Sequence, residues 1–120
     1  MTSAMTKLNV FQSEVPGQQR CAGRVFPLVY ECQDSGADVA AACKWVGERA
    51  GELLEEGCQH GAVLFRGFPL RTAEDFDGLV AAFGLPAFTF EDSLSNAVRV
   101  KRTARVFTAN EAPPTVQIFF

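Results

Sequence analysis

The stretch "GAVLFRGFPLRTAEDFDGLVAAFG" (residues 61–84) decides how the rest of the chain is read. Ala62 to Phe65 is a continuous apolar run bounded by glycines. It is too short for a helix, and it predicts a strand buried on both faces. Thr72 then stands three residues before Asp75, the spacing with which a threonine caps the free amides of a starting helix. Phe76, Leu79, Val80 and Phe83 form the buried stripe of that helix, and Gly84 ends it.

Upstream, the same grammar occurs once more. "RVFPLVYEC" (24–32) is rich in Val, Phe and Tyr and reads as a strand. In "QDSGAD" (33–38) Ser35 is placed to cap a helix, with Asp38 in its favourable first turn. Val39, Ala42, Cys43, Val46, Ala50, Leu53 and Leu54 recur at steps of three and four, which predicts one apolar stripe. Gly57 is the stop signal. Strand, helix, strand, helix in this order predicts an α+β layer with a crossover joining two strands of one sheet. Residues 1–23 hold no long apolar run and read as a flexible N-terminal arm, not a secretory signal.

Downstream of Pro86 the texture changes. "AFTF", "AVRV", "ARVFTA" and "TVQIFF" are short segments between polar turns and read as successive strands. The last of them, residues 115–120, alternates Val116, Ile118 and Phe120 with Gln117 and Phe119. An apolar strand at a terminus leaves a sticky edge, so the reading is of a fragment whose remainder would cover it.

The 120 residues are one domain's worth of chain, and 48% apolar residues suffice for a core. A net charge of −3 speaks against nucleic acid as a partner. No apolar run approaches the roughly 18 residues needed to span a membrane. Cys21, Cys32, Cys43 and Cys58 form no C-x-x-C pair. They read as free thiols of a cytoplasmic protein, two of them buried on a helix. His60 is the one histidine and reads as a turn residue supporting the C-terminus of the first helix. Arg66 leaves the buried strand beside a glycine, where a tight exit is the preferred reading and a grip on a carboxylate the alternative. Arg99, Lys101, Arg102 and Arg105 read as the wet side of a hairpin, with Arg99 the candidate to face an anion or substrate. Asn110 and Glu111 lie in a proline-stiffened loop that joins two strands or overhangs a cavity.

Three stretches, residues 61–84, "SLSNAVRV" (93–100) and "VFTANEAPP" (106–114) running into "TVQIFF", together resemble the N-terminal part of the TauD/TfdA-like dioxygenases. The resemblance covers residues 24–120 and points to the branch that hydroxylates amino acids in bacterial secondary metabolism. It implies the first strands of an incomplete double-stranded β-helix, or jelly roll, behind the N-terminal layer. It further implies Fe(II) held by a His-x-Asp/Glu…His triad, 2-oxoglutarate as co-substrate, and hydroxylation of a small amino-acid-like or carboxylate substrate. In such a complete protein Asn96, Arg99, Asn110 and Glu111 would face substrate. One histidine cannot supply two, so no catalytic residue, no metal ligand and no bound cofactor is expected in these 120 residues, and no turnover from them alone. Two alternatives belong to other classes. One is a standalone α+β interaction module that self-associates or binds a partner through its C-terminal strand. The other is a small regulatory ligand-binding domain.

Overall fold

The computed structural model describes residues 8–34, 36–86, 99–109 and 111–115. Its centre is a three-stranded sheet built from β1 (Val10–Ser13), β4 (Leu28–Cys32) and β5 (Val63–Arg66), in the order β1-β4-β5. A separate hairpin pairs β2 (Gln19–Cys21) with β3 (Arg24–Phe26). The helices are α1 (Val39–His60) and α2 (Ala73–Ala81). The architecture is a mixed α+β domain, and β4–α1–β5 is the expected crossover: β4 and β5 run parallel, with Tyr30 opposite Phe65.

The N-terminal arm is the first correction. Within 1–23, Leu8 is buried, and β1 pairs antiparallel with β4 from Val10↔Cys32 to Ser13↔Val29. Residues 8–23 are therefore part of the sheet system, because β4 has an open edge whose backbone groups need partners. The expected single strand over 24–32 is divided at a cis Phe26–Pro27 bond into β3 and β4. Proline offers no N–H to a ladder, so the two halves pair with different partners.

The cap of helix α1 lies three residues later than its sequence signals imply. Asp38 is itself the N-cap, its side chain accepting a bond from the Ala41 N–H at 2.9 Å. The Ser35 cap lies outside the described residues. Gly57 does not stop the helix, which continues to His60 and ends at Gly61. Gly61 adopts φ 90° and returns its N–H to the Gly57 carbonyl at 2.9 Å. The left-handed residue ends the helix, and here the second glycine takes that conformation.

The buried face of α1 is Ala42, Trp45, Val46 and Leu53. Trp45 is absent from the expected stripe, while Leu54, a member of it, is exposed. An indole is wide enough to reach the core from the stripe's flank. Trp45 meets Tyr30 edge-on at 5.5 Å and Phe68 at 5.8 Å, and Phe65 meets Phe68 at 5.4 Å. Such ring pairs each contribute about 0.5–1.5 kcal/mol beyond the area they bury. The thiols are also redistributed: Cys32 on β4 is the buried one, Cys43 is half-buried and Cys58 is exposed.

Strand β5 is not buried on both faces. Leu64 lies opposite Val29 in register, yet Val29 is fully buried and Leu64 is 37% exposed. Helix α2 begins as expected, Thr72 Oγ1 accepting the Asp75 N–H at 3.0 Å. Leu79 is its buried anchor against α1, whereas Phe76 is 48% exposed. Gly84 follows at φ 73°.

Beyond Pro86 the expected strand "AFTF", half of "AVRV" and all of "TVQIFF" but its first residue lie outside the described residues. "ARVFTA" is not a strand: its region holds a single antiparallel bridge, Lys101↔Phe107.

Candidate functional site

Residues 99–109 form a turn built on its own hydrogen bonds. Arg102 and Thr103 N–H groups both donate to the Val106 carbonyl, at 2.8 and 3.1 Å, and Thr108 N–H donates to the Val100 carbonyl at 2.9 Å. One carboxylate ties this turn to α2. Asp77 accepts from the Thr103 hydroxyl, from the Arg105 N–H at 3.1 Å and from the Arg105 guanidinium at 2.9 Å. The Thr103 bond lowers the Asp77 carboxyl below the usual aspartate value, partial desolvation opposes this, and Arg105 reinforces the lowering. Arg105 thus serves the structure and is not offered to a ligand.

Arg99 and Glu111 meet at Thr108. The Arg99 guanidinium donates to the Thr108 carbonyl at 3.2 Å. The Thr108 hydroxyl accepts the Val100 N–H at 2.9 Å and donates to Glu111 Oε2 at 3.1 Å. Both charged side chains are exposed. Asn96 and Asn110 lie outside the described residues. Lys101 and Arg102 are exposed on the same turn.

Two residues of this arrangement escaped the sequence reading. Thr108 left one usable signal, its three-residue spacing to Glu111, the reach of a hydroxyl to a carboxylate in a turn. Asp77 left none, because its partners are 26 and 28 residues away.

The other titratable groups are committed to packing. His60 closes α1 as its last helical residue rather than lying in the turn, and its Nδ1–H donates to the Val25 carbonyl at 2.8 Å. Tyr30 Oη donates to the Glu56 carboxylate at 2.7 Å. Burial, and then the Glu56 bond and charge, push the Tyr30 hydroxyl up to about 12. Burial, helped by Asp75, raises the Cys43 thiol, which keeps it protonated and unreactive. Arg66 is exposed at the end of β5, opposite Glu31 in register. A shallow cleft at the ends of β4 and β5 is lined by Cys32, Gln33, Asp34 and Gly67. Its Asp34 carboxylate accepts the Gly36 N–H at 3.2 Å.

The fold and the turn define a mixed α+β domain carrying an exposed cation and anion on one threonine. No protein-family model matches the chain. Its sequence is 33% identical over 124 aligned residues to a clavaminate synthase-like protein from Arabidopsis thaliana, an alignment that takes in 97% of this chain. The chain spans 36% of the length of that relative.

A facial triad of two histidines and a carboxylate does not fit the donors present. The sequence has one histidine, and its Nδ1 is engaged at the end of α1. Among the described residues no three His, Cys, Asp or Glu side chains cluster as metal ligands would.

Proposed function

We propose that these 120 residues are the N-terminal scaffold portion of an Fe(II)- and 2-oxoglutarate-dependent oxygenase of the TauD/TfdA-like kind. In this reading the scaffold packs against a jelly roll, and the substrate is a small amino-acid-like or carboxylate compound. The observation that carries the reading is the alignment of 97% of the chain with a clavaminate synthase-like protein. The β4–α1–β5–α2 order agrees with it. In this reading the iron ligands belong to polypeptide outside these residues, which is consistent with a sequence that has one histidine. Iron and 2-oxoglutarate together supply the oxidising power in such enzymes, and the contribution of this chain is support and substrate contact.

The test is a chimera in which this chain replaces the matching part of the Arabidopsis relative, with the unaltered relative measured alongside. The chimera is expected to bind Fe(II) and 2-oxoglutarate as the relative does, read from metal content and the visible absorption of the anaerobic complex. A folded chimera that binds neither, beside a relative that binds both, refutes the proposal. The 120-residue chain alone is expected to release no succinate from 2-oxoglutarate and to hold no stoichiometric iron.

A further inference from the structure

We propose that Thr103 is a phosphorylation site for a kinase that reads basic residues on both sides of its acceptor, and that the phosphate releases residues 99–109 from α2. This goes beyond the oxygenase reading and does not rest on it. The sequence supplies the recognition. Lys101 and Arg102 precede Thr103, and Arg105 follows two residues later. Of the serines and threonines in the chain, Thr103 alone has a basic residue within two positions on each side. Kinases choose among hydroxyls partly by charge, so this pattern suits an acidic recognition surface. Lys101 and Arg102 are exposed, whereas Arg105 carries the ion pair to Asp77. Thr108, the next hydroxyl, has Arg105 on one side only, and its own hydroxyl is held between the Val100 N–H and Glu111.

The fold supplies the consequence. The half-buried Thr103 hydroxyl is the centre of the attachment to α2. It donates to the Asp77 carboxylate and accepts the Val106 N–H at 3.2 Å and the Arg105 N–H at 3.4 Å. Local opening of the turn frees this hydroxyl for a kinase. Thr103 Oγ1 then attacks the γ-phosphorus of ATP, and a new O–P bond forms. The bond from that phosphorus to the β–γ bridging oxygen breaks, ADP leaves, and the hydroxyl proton passes to the carboxylate base of the kinase. The product has lost the proton that Asp77 accepted. It also sets about two negative charges against that carboxylate, so an attraction becomes a repulsion. The turn cannot close again in the same way. Lys101, Arg102 and the Arg105 and Val106 amides are the donors around Oγ1 that remain to hold the phosphate.

The experiment incubates the full 120-residue chain with magnesium ATP and the catalytic fragment of protein kinase C, a kinase that accepts hydroxyls flanked by basic residues. Phosphate is located by tandem mass spectrometry, and the product is compared with the unmodified chain by amide hydrogen exchange. One phosphate is expected, on Thr103. Exchange at residues 103–106 should then accelerate at least about tenfold, the ratio that loss of one hydrogen bond to a charged group produces. Trp45 fluorescence should stay unchanged, because the packed unit is not touched. Replacing Lys101 and Arg102 together by Gln should slow phosphate uptake and leave exchange of the unmodified turn as it was, which separates recognition from attachment. Asp77→Asn should take up phosphate faster, because its turn opens more readily, and phosphorylation should then accelerate its exchange little further. Thr103→Val should take up none, and Thr103→Ser should behave as the unaltered chain. No phosphate on Thr103, or phosphate chiefly on Thr108 or another residue, overturns the proposal. So does a phosphorylated Thr103 whose turn exchanges no faster, or an equal acceleration in Asp77→Asn. The assay needs neither iron nor 2-oxoglutarate, so its outcome and that of the chimera are independent.

Discussion

The described residues of 8–86 and those of 99–115 are held in place by different physics. Among the described residues every buried apolar side chain, from Leu8 to Leu79, lies in the first region. Among the described residues the second has none, and Asp77 ties it to α2 through Thr103 and Arg105. Apolar burial is non-directional and scales with area, so it stabilises the whole of 8–86 while leaving individual groups some freedom. Hydrogen bonds to a carboxylate are directional, so they place a turn with little gain in overall stability. Arg99 and Glu111, joined at Thr108, sit on the second kind of support. The position of their turn depends on the charge of Asp77, whereas the packed unit is held mainly by apolar burial.

Four measurements break or sharpen this contrast. The largest effect is expected at Leu53, which is 3% exposed. Leu53→Ala should lower stability by about 3 kcal/mol, read by urea unfolding followed through the fluorescence of the single Trp45. A cost near zero would show that the core is not where the burial places it.

Gly67 comes next. Its φ is 73°, and an added Cβ would meet the Cys32 carbonyl oxygen. Gly67→Ala should cost about 2 kcal/mol or more by the same assay, because the strain and the clash fall on backbone.

A smaller effect belongs to Tyr30. As the single tyrosine it can be titrated by its phenolate absorbance, with a midpoint expected at about 12. A raised value means that the folded state holds the proton more tightly. The contribution to stability is complete below the ordinary value of 10.0 and is lost as pH rises through about 12. Tyr30→Phe should remove the bond to Glu56 at a cost of about 1 kcal/mol. A midpoint at the ordinary value would mean that the phenol is free in solvent.

The smallest effect on global stability is expected at Asp77. Asp77→Asn should leave the urea midpoint in place while amide exchange at residues 103–106 accelerates. Lowering the pH should do the same to the unaltered chain. A depressed carboxyl value gives a contribution that is complete above the ordinary aspartate range and is lost as pH falls through the lower folded value. A shift of the whole unfolding transition in Asp77→Asn would erase the distinction between the two regions.

Much of the first region was legible in advance, because its signals are local. The Thr72 cap is a matter of residue type and a three-residue spacing. The parallel pairing of β4 with β5 follows from a strand, a helix and a second strand in order. The errors there share one cause. Gly57 and Gly61 are equal as letters, and only the site where the chain must turn back toward β5 selects which takes φ 90°. Likewise Val10–Ser13 lies in a stretch read as a flexible arm, and is a strand because β4 has an edge to pair.

For the candidate site the division is sharper. Charge and chemical type at Arg99 and Glu111 are properties of the residues, and the sequence by itself determined that a cation and an anion lie on one turn-rich segment. That Thr108 binds both, and that Asp77 anchors their turn from 26 and 28 residues away, was decided only by the tertiary structure. Periodicity reports contacts within a helix or strand, where spacing is set by covalent geometry. Contacts between a helix and a distant turn are set by how the packed elements meet, and no local spacing encodes them.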